Sequence, residues 1–242
     1  CDAHTMKRLV ARDMPFYANI DTSTGATQSS KSTLCWPQHI VVVSPEKAYI
    51  QYSTADNESH SGIRIVDLQT NIIRTSDIPG TFGVFTKTGA TKARMIFSRG
   101  KVFAGRGNSV IVLDPATDAV IKTVTYENRQ VKDLAKGYDG KIYAIFTGEF
   151  TGNSGMTGAA SFTKPAMIVA LDANGEVVSE TNLPEQIELR TGTASPTVQM
   201  CASFTQPHLY FIGKQDFSAY EAMRYNYETG KVNWDYITAD LD

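Results

Sequence analysis

Several features that would indicate a class of function are scarce in this sequence of 242 residues. Lys and Arg number 23 against 25 Asp and Glu, a net charge of -2, so no excess of positive charge indicates a nucleic-acid partner. Apolar runs such as Ile40–Val43 are far too short to cross a bilayer, and no transmembrane segment is expected. The 42% of hydrophobic residues is instead typical of an ordinary folded protein.

Cysteine is scarce as well, and its three copies, Cys1, Cys35 and Cys201, are widely separated. They make neither a disulfide framework nor the closely spaced pairs of a zinc site. We expect isolated small side chains in strands and loops, buried as free cysteine usually is. Pairing of Cys35 with Cys201 stays open, because the sequence does not show whether folding brings them together.

Motifs for catalysis and metal binding are not found. The four histidines are widely spread and lack the spacings of a metal site: His4, His39, His60 and His208. The sequence has no G-x-S-x-G nucleophile turn, and Gly105–Gly107 is expected to join two strands rather than to open a phosphate-binding helix. We therefore predict no catalytic residue, no metal site and no cofactor.

A repeated unit is the strongest feature present. Five segments combine alternating apolar runs with an acidic or amide residue that Thr or Gly follows three positions later. They read CDAHTMKRLV from Cys1, IRIVDLQTNIIRT from Ile63, VIVLDPATDAVIKT from Val110, MIVALDANGEVVSET from Met167 and MRYNYETGKVNWDY from Met223. Alternation predicts strands, and the short polar side chain in the turn bonds nearby backbone groups. Each segment is thus predicted to be a β-hairpin.

A second hairpin is predicted between successive copies of the first. Its copies are HIVVVSPEKAYIQY, MIFSRGKVFAG, LAKGYDGKIYAIF and CASFTQPHLYFIG, turned at Pro-Glu, Arg-Gly, Asp-Gly and Gln-Pro. Two hairpins make a four-stranded antiparallel sheet, and the acidic or amide residues recur at 65, 47, 58 and 54 residues. This period predicts an all-β fold, a β-propeller of about four and a half blades. A β-sandwich would explain the short strands but not the repeated pair of hairpins.

The motif V-x-V-x-D-x-x-T-x-x-V-x-x-T, clearest in VIVLDPATDAVIKT, and the inner hairpin around Asp139–Tyr143 resemble the YncE-like and surface-layer-type propellers. Within that group the sequence is most similar to uncharacterised propeller lipoproteins of Bacteroidetes outer membranes. The resemblance implies seven blades in the intact protein and export to the periplasm or the outer-membrane surface. It also implies a ligand-binding role, which in some relatives is capture of a molecule for uptake.

The first blade is expected to be incomplete, within a single propeller domain over residues 1–242. Cys1–Thr5 match a turn that later copies reach only after an inner hairpin, so the chain begins at the third strand of a blade. We expect residues 1 to about 12 to form only the outer half of that blade. An upstream segment, with any signal peptide and lipid anchor, would then precede it.

Loop lengths predict one binding face. Turns inside the hairpins are short, whereas connections between hairpins and between blades are long and emerge together at the other end of the strands. The residues predicted to bind a ligand there are Trp36, Phe82, Phe85, Arg94, Arg106, Arg129, Phe217 and Tyr220. Aromatic rings and guanidinium groups suit a flat or anionic organic molecule. The alternative is that each residue packs its own loop or bonds carbonyl groups at its blade edge.

Three hypotheses for function remain. The first is an exported or cell-surface protein that binds a ligand, without enzymatic activity; the partner is an unknown small molecule or an outer-membrane protein. The second is a lactonase-like or other metal-assisted hydrolase on a propeller scaffold, and the third is a protein-interaction or cell-surface scaffold. A metal on the channel axis would favour the hydrolase, a concave pocket would favour ligand capture, and a flat apolar patch would favour the scaffold.

Overall fold

The computed structural model describes residues 17–18, 33–54, 60–70, 72–74, 76–84, 94–150, 162–184, 187–188, 200–215 and 220–233. The regular elements among these residues are all β-strands, arranged in antiparallel sheets. The predicted all-β propeller fold with four-stranded antiparallel blades is confirmed. The chain divides after Gly83 into two compact units.

The first unit contains blade 1. A short strand β1 (Tyr17–Ala18) precedes the four strands of the blade, which pair in chain order: β2 (Thr33–Ser44), β3 (Lys47–Thr54), β4 (His60–Asp67) and β5 (Ile72–Ile73). A further short strand, β6 (Gly83–Val84), pairs with β4. Residues 1 to 12 lie outside the described part of the chain. The half blade expected there, the single domain and the total blade number therefore stay predictions.

The second unit contains three blades. Blade 2 consists of β7 (Met95–Ser98), β8 (Lys101–Arg106), β9 (Ser109–Asp114) and β10 (Ala119–Thr125). Blade 3 consists of β11 (Val131–Lys136), β12 (Ile142–Phe146), β15 (Met167–Leu171) and β16 (Val177–Asn182), with a separate ribbon of β13 (Glu149–Phe150) and β14 (Phe162–Lys164). Blade 4 consists of β18 (Met200–Ala202), β19 (His208–Gln215), β20 (Tyr220–Asn226) and β21 (Lys231–Asn233), and β17 (Ile187–Glu188) pairs with β19.

Strands β12 and β15 of blade 3 are buried on both of their faces. Alternate side chains of a strand point to opposite faces of a sheet, so the two sets of residues along β12 enter different apolar clusters. Ile142, Ala144 and Phe146 share a cluster with Phe103 and Val112 of blade 2. Tyr143 and Ile145 share the other cluster with Phe211 and Met223 of blade 4. The continuous apolar sequence of β12 follows from this double burial.

The turn of the repeated hairpin is held by the residue that marks it in the sequence. In each of the four blades that the structure describes, the side-chain oxygen of this Asp or Asn accepts hydrogen bonds of 2.8–3.0 Å from backbone N–H groups two to four residues later. The pairs are Gln69 and Thr70 with Asp67, Ala116 with Asp114, Asn174 and Glu176 with Asp172, and Glu228 and Thr229 with Asn226. The turn chemistry predicted from the sequence is confirmed.

The inner hairpins also turn where the sequence predicts. Arg99 and Gly100 alone connect β7 to β8, with φ angles of 49° and 77°. Two positive φ values are those of a type I′ turn, whose twist matches that of the two strands it joins. Glycine at the second position removes the Cβ contacts that this conformation imposes on other residues.

Cys201 differs from the expectation of burial. It lies in β18, and its thiol is free and exposed. Cys201 stands opposite Tyr210 on an outward-facing position of the strand, between the buried Met200 and the half-buried Ala202. The alternation of side chains along the strand decides the exposure of Cys201. For so short a segment, the sequence does not show which residues face outward.

Replacement of Asp172 tests the turn. Backbone hydrogen bonds, that from Glu176 foremost, lower the pKa of this carboxyl group, so the ionised form stabilises the turn above the ordinary aspartate pKa. That stabilisation is lost as the pH falls through the lowered value. We expect Asp172→Ala to lower the Tm at pH 7 by about 2 °C, as measured by thermal unfolding.

Asp172→Asn is the matched control, because Asn226 holds the equivalent turn of blade 4 with an amide oxygen. Its Tm at pH 7 should stay close to that of the wild type, and its Tm should fall less than that of the wild type as the pH is lowered. Equal melting of the alanine variant and the wild type would contradict a role for this side chain.

Candidate functional site

Buried polar side chains of the second unit collect where β7, β11 and β18 begin and β8 and β12 end. We call this end the connection edge, formed by Arg94, 106–108, 129–133 and Thr147. Of the buried polar or charged side chains described in this unit, all but Ser98 lie here. Polar groups are buried only at a cost unless they find partners, so their concentration at one edge needs an explanation.

Backbone hydrogen bonds fix the connection edge between blades 2 and 3. The N–H of Val131 donates to the carbonyl of Gly107, in the two-residue turn between β8 and β9, at 2.8 Å. Thr147, just after β12, exchanges two bonds with Gln130: its N–H donates to the Gln130 carbonyl, and its Oγ1 accepts from the Gln130 N–H. Residues 129–131 are therefore held on both sides before β11 begins.

Asp133 in β11 is the acceptor at the centre of this edge. Its carboxylate takes a two-point ion pair from Arg94, with Nε 3.1 Å from Oδ1 and Nη2 2.9 Å from Oδ2. The backbone N–H of Met200 in β18 donates to Oδ2 at 2.7 Å, and that of Leu134 to Oδ1 at 2.8 Å. The Asp133 side chain is 3% exposed and that of Arg94 is 40% exposed. One buried carboxylate thus links the starts of three blades.

Arg94 is committed to this ion pair. Its hydrogen bonds to Asp133 raise the pKa of the guanidinium above the ordinary value, and its backbone N–H also approaches Oδ1 at 3.3 Å. The fork of Nε and Nη2, which is the part of arginine that matches a carboxylate, is fully used inside the protein. Arg94 therefore acts in the framework of the edge.

Arg129 uses its guanidinium differently. Its Nη1 donates to two carbonyl oxygens, of Thr147 at 2.8 Å and of Pro165 at 2.7 Å. Nε and Nη2, the same fork that Arg94 offers to Asp133, make no hydrogen bond with any residue that the structure describes. Only 6% of the residue is exposed, and this burial lowers the pKa of Arg129. The guanidinium nevertheless stays charged. The side chain is thus anchored by one nitrogen, and no described residue binds the fork of Nε and Nη2.

The carboxylates nearest Arg129 have other partners. Glu149 and Glu180 attract its charge from beyond ion-pair distance. Glu149 forms an ion pair of 2.7 Å with Lys164, which lowers the pKa of Glu149. Glu180 accepts a hydrogen bond of 2.6 Å from the hydroxyl of Tyr126. Neither carboxylate neutralises Arg129 by direct contact.

Lys132 is an extra residue in β11. Val131 pairs with Phe146 and Asp133 pairs with Ile145, so Lys132 has no opposite residue and forms a β-bulge. Its half-buried ammonium group lies 3.4 Å from Oε1 of Gln130, and burial lowers its pKa to about 8. The edge carries four cations, Lys132 and the three arginines, against the carboxylate of Asp133. Lys164, Glu149 and Glu180 lie beside it, next to Arg129. Cations are therefore in local excess here, although the net charge of the chain is -2.

The first unit contains a separate buried cluster. Tyr52 donates its hydroxyl hydrogen to Asp77 at 2.8 Å, and Arg64 lies 3.6 Å from the same carboxylate and over the Tyr52 ring. A Cβ atom on Gly62 would overlap both Asp77 and Tyr52, so glycine makes room for this contact. The charges and the hydroxyl compensate one another, as in a structural network.

The predicted site residues divide into four groups. Arg94, Arg106 and Arg129 all lie at the connection edge, and their role in ligand binding stays a prediction. Arg106 is buried at this edge. Phe82 lies in the first unit, stacked on the ring of His60 at 5.3 Å. For Trp36 and Tyr220 the structure describes only strand positions, opposite Ser53 and Lys214, and Phe85 and Phe217 lie outside the described residues.

The structure adds Lys132 and Asp133, which the sequence analysis missed. The available signal was the pair Lys-Asp inside the otherwise apolar strand Val131–Ala135. Among the described residues no group of His, Cys, Asp and Glu could hold a metal ion. The same residues contain no helix long and apolar enough to span a membrane.

A family model described as "Domain of unknown function (DUF5074)" matches residues 18–239, nearly the whole chain. The chain belongs to this family. A comparison with curated proteins finds no match. Family membership therefore brings no activity with it, and the site has to be judged on its own geometry.

Solved structures show a likeness of fold. Hydrazine synthase from Kuenenia stuttgartiensis has a TM-score of 0.50 at 10% identity, over 82% of this chain and 65% of that chain. The chain thus spans less than two thirds of that protein. A streptogramin B lyase structure has a TM-score of 0.44 at 11% identity, over 81% and 67% of the two chains. Prolyl oligopeptidase B from Galerina marginata has 0.45 at 10%, over 78% and 24%. At these identities the likeness concerns the fold alone.

Removal of the Asp133 carboxylate tests its role between the blades. Asp133→Ala leaves the N–H groups of Met200 and Leu134 without their acceptor and the Arg94 guanidinium without its counter-ion. We expect the free energy of unfolding to fall by about 3 kcal/mol, measured by urea denaturation. A double-mutant cycle with Arg94→Ala should give a coupling of about 1 kcal/mol or more.

Glu127→Ala, at an exposed position before the same edge, is the control and should change the free energy of unfolding by no more than about 0.5 kcal/mol. If Asp133→Ala unfolds like the control, the carboxylate does not join the blades energetically.

Proposed function

We propose that this protein is an exported or cell-surface β-propeller that binds a small anionic organic molecule at the connection edge of its second unit. In this proposal it carries out no chemistry on the ligand and captures it for uptake at an outer membrane. Export and uptake rest on the resemblance of the blade motifs to YncE-like propellers and Bacteroidetes lipoproteins. The anionic ligand rests on the geometry of the connection edge.

The fork of Arg129 is the observation that carries the proposal. Two carbonyl groups fix the guanidinium through Nη1, which sets its plane and reduces the entropy lost when a ligand binds. The fork of Nε and Nη2 then offers two parallel N–H donors to a carboxylate or phosphate. Arg94 shows this geometry in the same molecule, with Asp133 as its carboxylate.

Charge supports the same ligand class. The cations of the edge outnumber its carboxylates, and Asp133, Glu149 and Glu180 are all engaged by other donors. Ion pairs at a partly buried site are stronger than at a surface, because less water screens them. An anion at Arg129 would therefore meet attraction without displacing an internal partner among the described residues.

Thermal shift with benzoate as the probe tests the proposal, with benzamide as its neutral isostere. Benzoate should raise the Tm of the wild type and benzamide should not, since a ligand that binds only the folded state stabilises it. Arg129→Lys keeps the charge but loses the fork, and we expect it to weaken benzoate binding by about tenfold or more.

Arg99→Lys is the matched control, because Arg99 is exposed in the β7–β8 turn at the opposite end of blade 2. It should bind benzoate like the wild type. Equal stabilisation by benzamide, or unchanged benzoate affinity in Arg129→Lys, would show that Arg129 is framework only.

A further inference from the structure

The position of Lys132 suggests more than an ordinary strand lysine. A regular strand would place it opposite a residue of β12, but the bulge leaves it unpaired between Val131 and Asp133. Bulges commonly re-aim a side chain beside a functional site. The ammonium group is half-buried, and its one hydrogen bond in the described structure is a long one to the neutral amide oxygen of Gln130.

No carboxylate is available to neutralise Lys132 within the described structure. The strands that contact β11 are β7, β8, β12 and β18. Besides Lys132, the charged and titratable residues on these strands and on β11 itself are Lys101, Arg106, Asp133, Lys136, Tyr143 and Cys201, and those just before them are Arg94, Arg129 and Lys141. Asp133 is the sole carboxylate among them, and both of its oxygens are occupied by Arg94, Met200 and Leu134. Lys132 is thus a half-buried cation. Its described neighbours are neutral or positively charged, apart from Asp133, whose oxygens already accept other hydrogen bonds.

Arg129 and Lys132 lie within four consecutive residues at the same edge. Gln130, between them, is fixed through its backbone to Thr147 and touches Lys132 through its side chain. Thr147 also accepts from Arg129, so one short network holds both cations in place. Two positioned cations without internal carboxylate partners are suited to two acidic groups on one ligand.

We infer that Arg129 and Lys132 form a two-point site for a dianionic organic acid, with one acidic group on the Arg129 fork and a second on the Lys132 ammonium. This inference rests on the function proposed above and names the class of ligand: a dicarboxylate, or a molecule with one carboxylate and one phosphate. A monoanion would fill only the Arg129 half of the site.

Binding of the second acidic group depends on protonation of Lys132. Burial lowers the pKa of this amine to about 8, so it is charged below that pH and loses its charge as the pH rises above it. A bound anion favours the charged form and raises the pKa again. The advantage of a dianion over a monoanion should therefore shrink between about pH 7 and pH 9.5.

Titration calorimetry with benzoate, phthalate, isophthalate and terephthalate tests the inference, because the three diacids vary the spacing of their carboxylates. All variants carry Cys201→Ser, so that the exposed thiol does not contribute to the signal. At pH 7 the best diacid should bind about tenfold or more tightly than benzoate. In Lys132→Met that preference should disappear while benzoate affinity stays within about twofold of the wild type.

Lys136→Met is the matched control, since Lys136 is exposed at the far end of the same strand. It should keep the preference for the diacid and its loss at high pH. Lys132→Arg should keep the preference up to pH 9.5, because arginine does not lose its charge in that range.

The outcomes separate the two proposals. If benzoate binds through Arg129 but no diacid gains affinity, or if Lys132→Met retains the gain, the two-point site is wrong and the proposed function stands. If no carboxylate binds the wild type, both are wrong. A diacid preference that is lost in Lys132→Met and fades with rising pH supports the two-point site.

Discussion

The carboxylate of Asp133 is the contact on which the arrangement of the second unit depends. It is buried, so its charge would be costly without compensation, and it receives donors from the starts of three blades: Arg94 before β7, Leu134 within β11 and Met200 in β18. Apolar packing between the blades has no direction of its own, because many small displacements bury nearly the same area. Hydrogen bonds to one carboxylate do have direction, and they fix how far the first strands may slide along one another.

This constraint positions the candidate site. Because β11 is fixed by Asp133, the residues around its start, from Arg129 to Lys132, are held in a defined position against the Gly107 turn and Thr147. Two arginines at the same edge then acquire different roles. The fork of Arg94 binds Asp133, whereas Arg129 is anchored through Nη1 and its fork meets no partner among the described residues. The difference lies in their surroundings and not in the residue type.

Features that depend on local chemistry could be predicted from the sequence, and features that depend on register or on distant partners could not. The hairpin turns at Asp67, Asp114, Asp172 and Asn226 are local, since each side chain bonds backbone groups within four residues. The partners of Asp133, in contrast, lie 39 and 67 residues away along the chain. The bulge at Lys132 is a property of how β11 pairs with β12, which no pattern within β11 reveals. The sequence analysis therefore assigned the same predicted role to three arginines whose contacts in the structure differ.

The position of the ion pair within the repeat also bears on how similar blades find their neighbours. Arg94 and Asp133 each precede a buried apolar residue, Met95 or Leu134, that pairs with an alanine directly after the aromatic residue of the second strand. They are thus equivalent positions of successive blades, occupied by opposite charges. Blades with nearly the same apolar pattern could stack in more than one register or order, and apolar contacts alone discriminate poorly between these alternatives. Blade 2 has a positive residue at this position and blade 3 a negative one, so the two blades attract each other there. Two copies of the same blade would place like charges at the contact, and these would repel each other while buried. The charge difference breaks the symmetry of the repeat where the first strands meet. The bulge at Lys132, directly before Asp133, is where β11 departs from a regular strand.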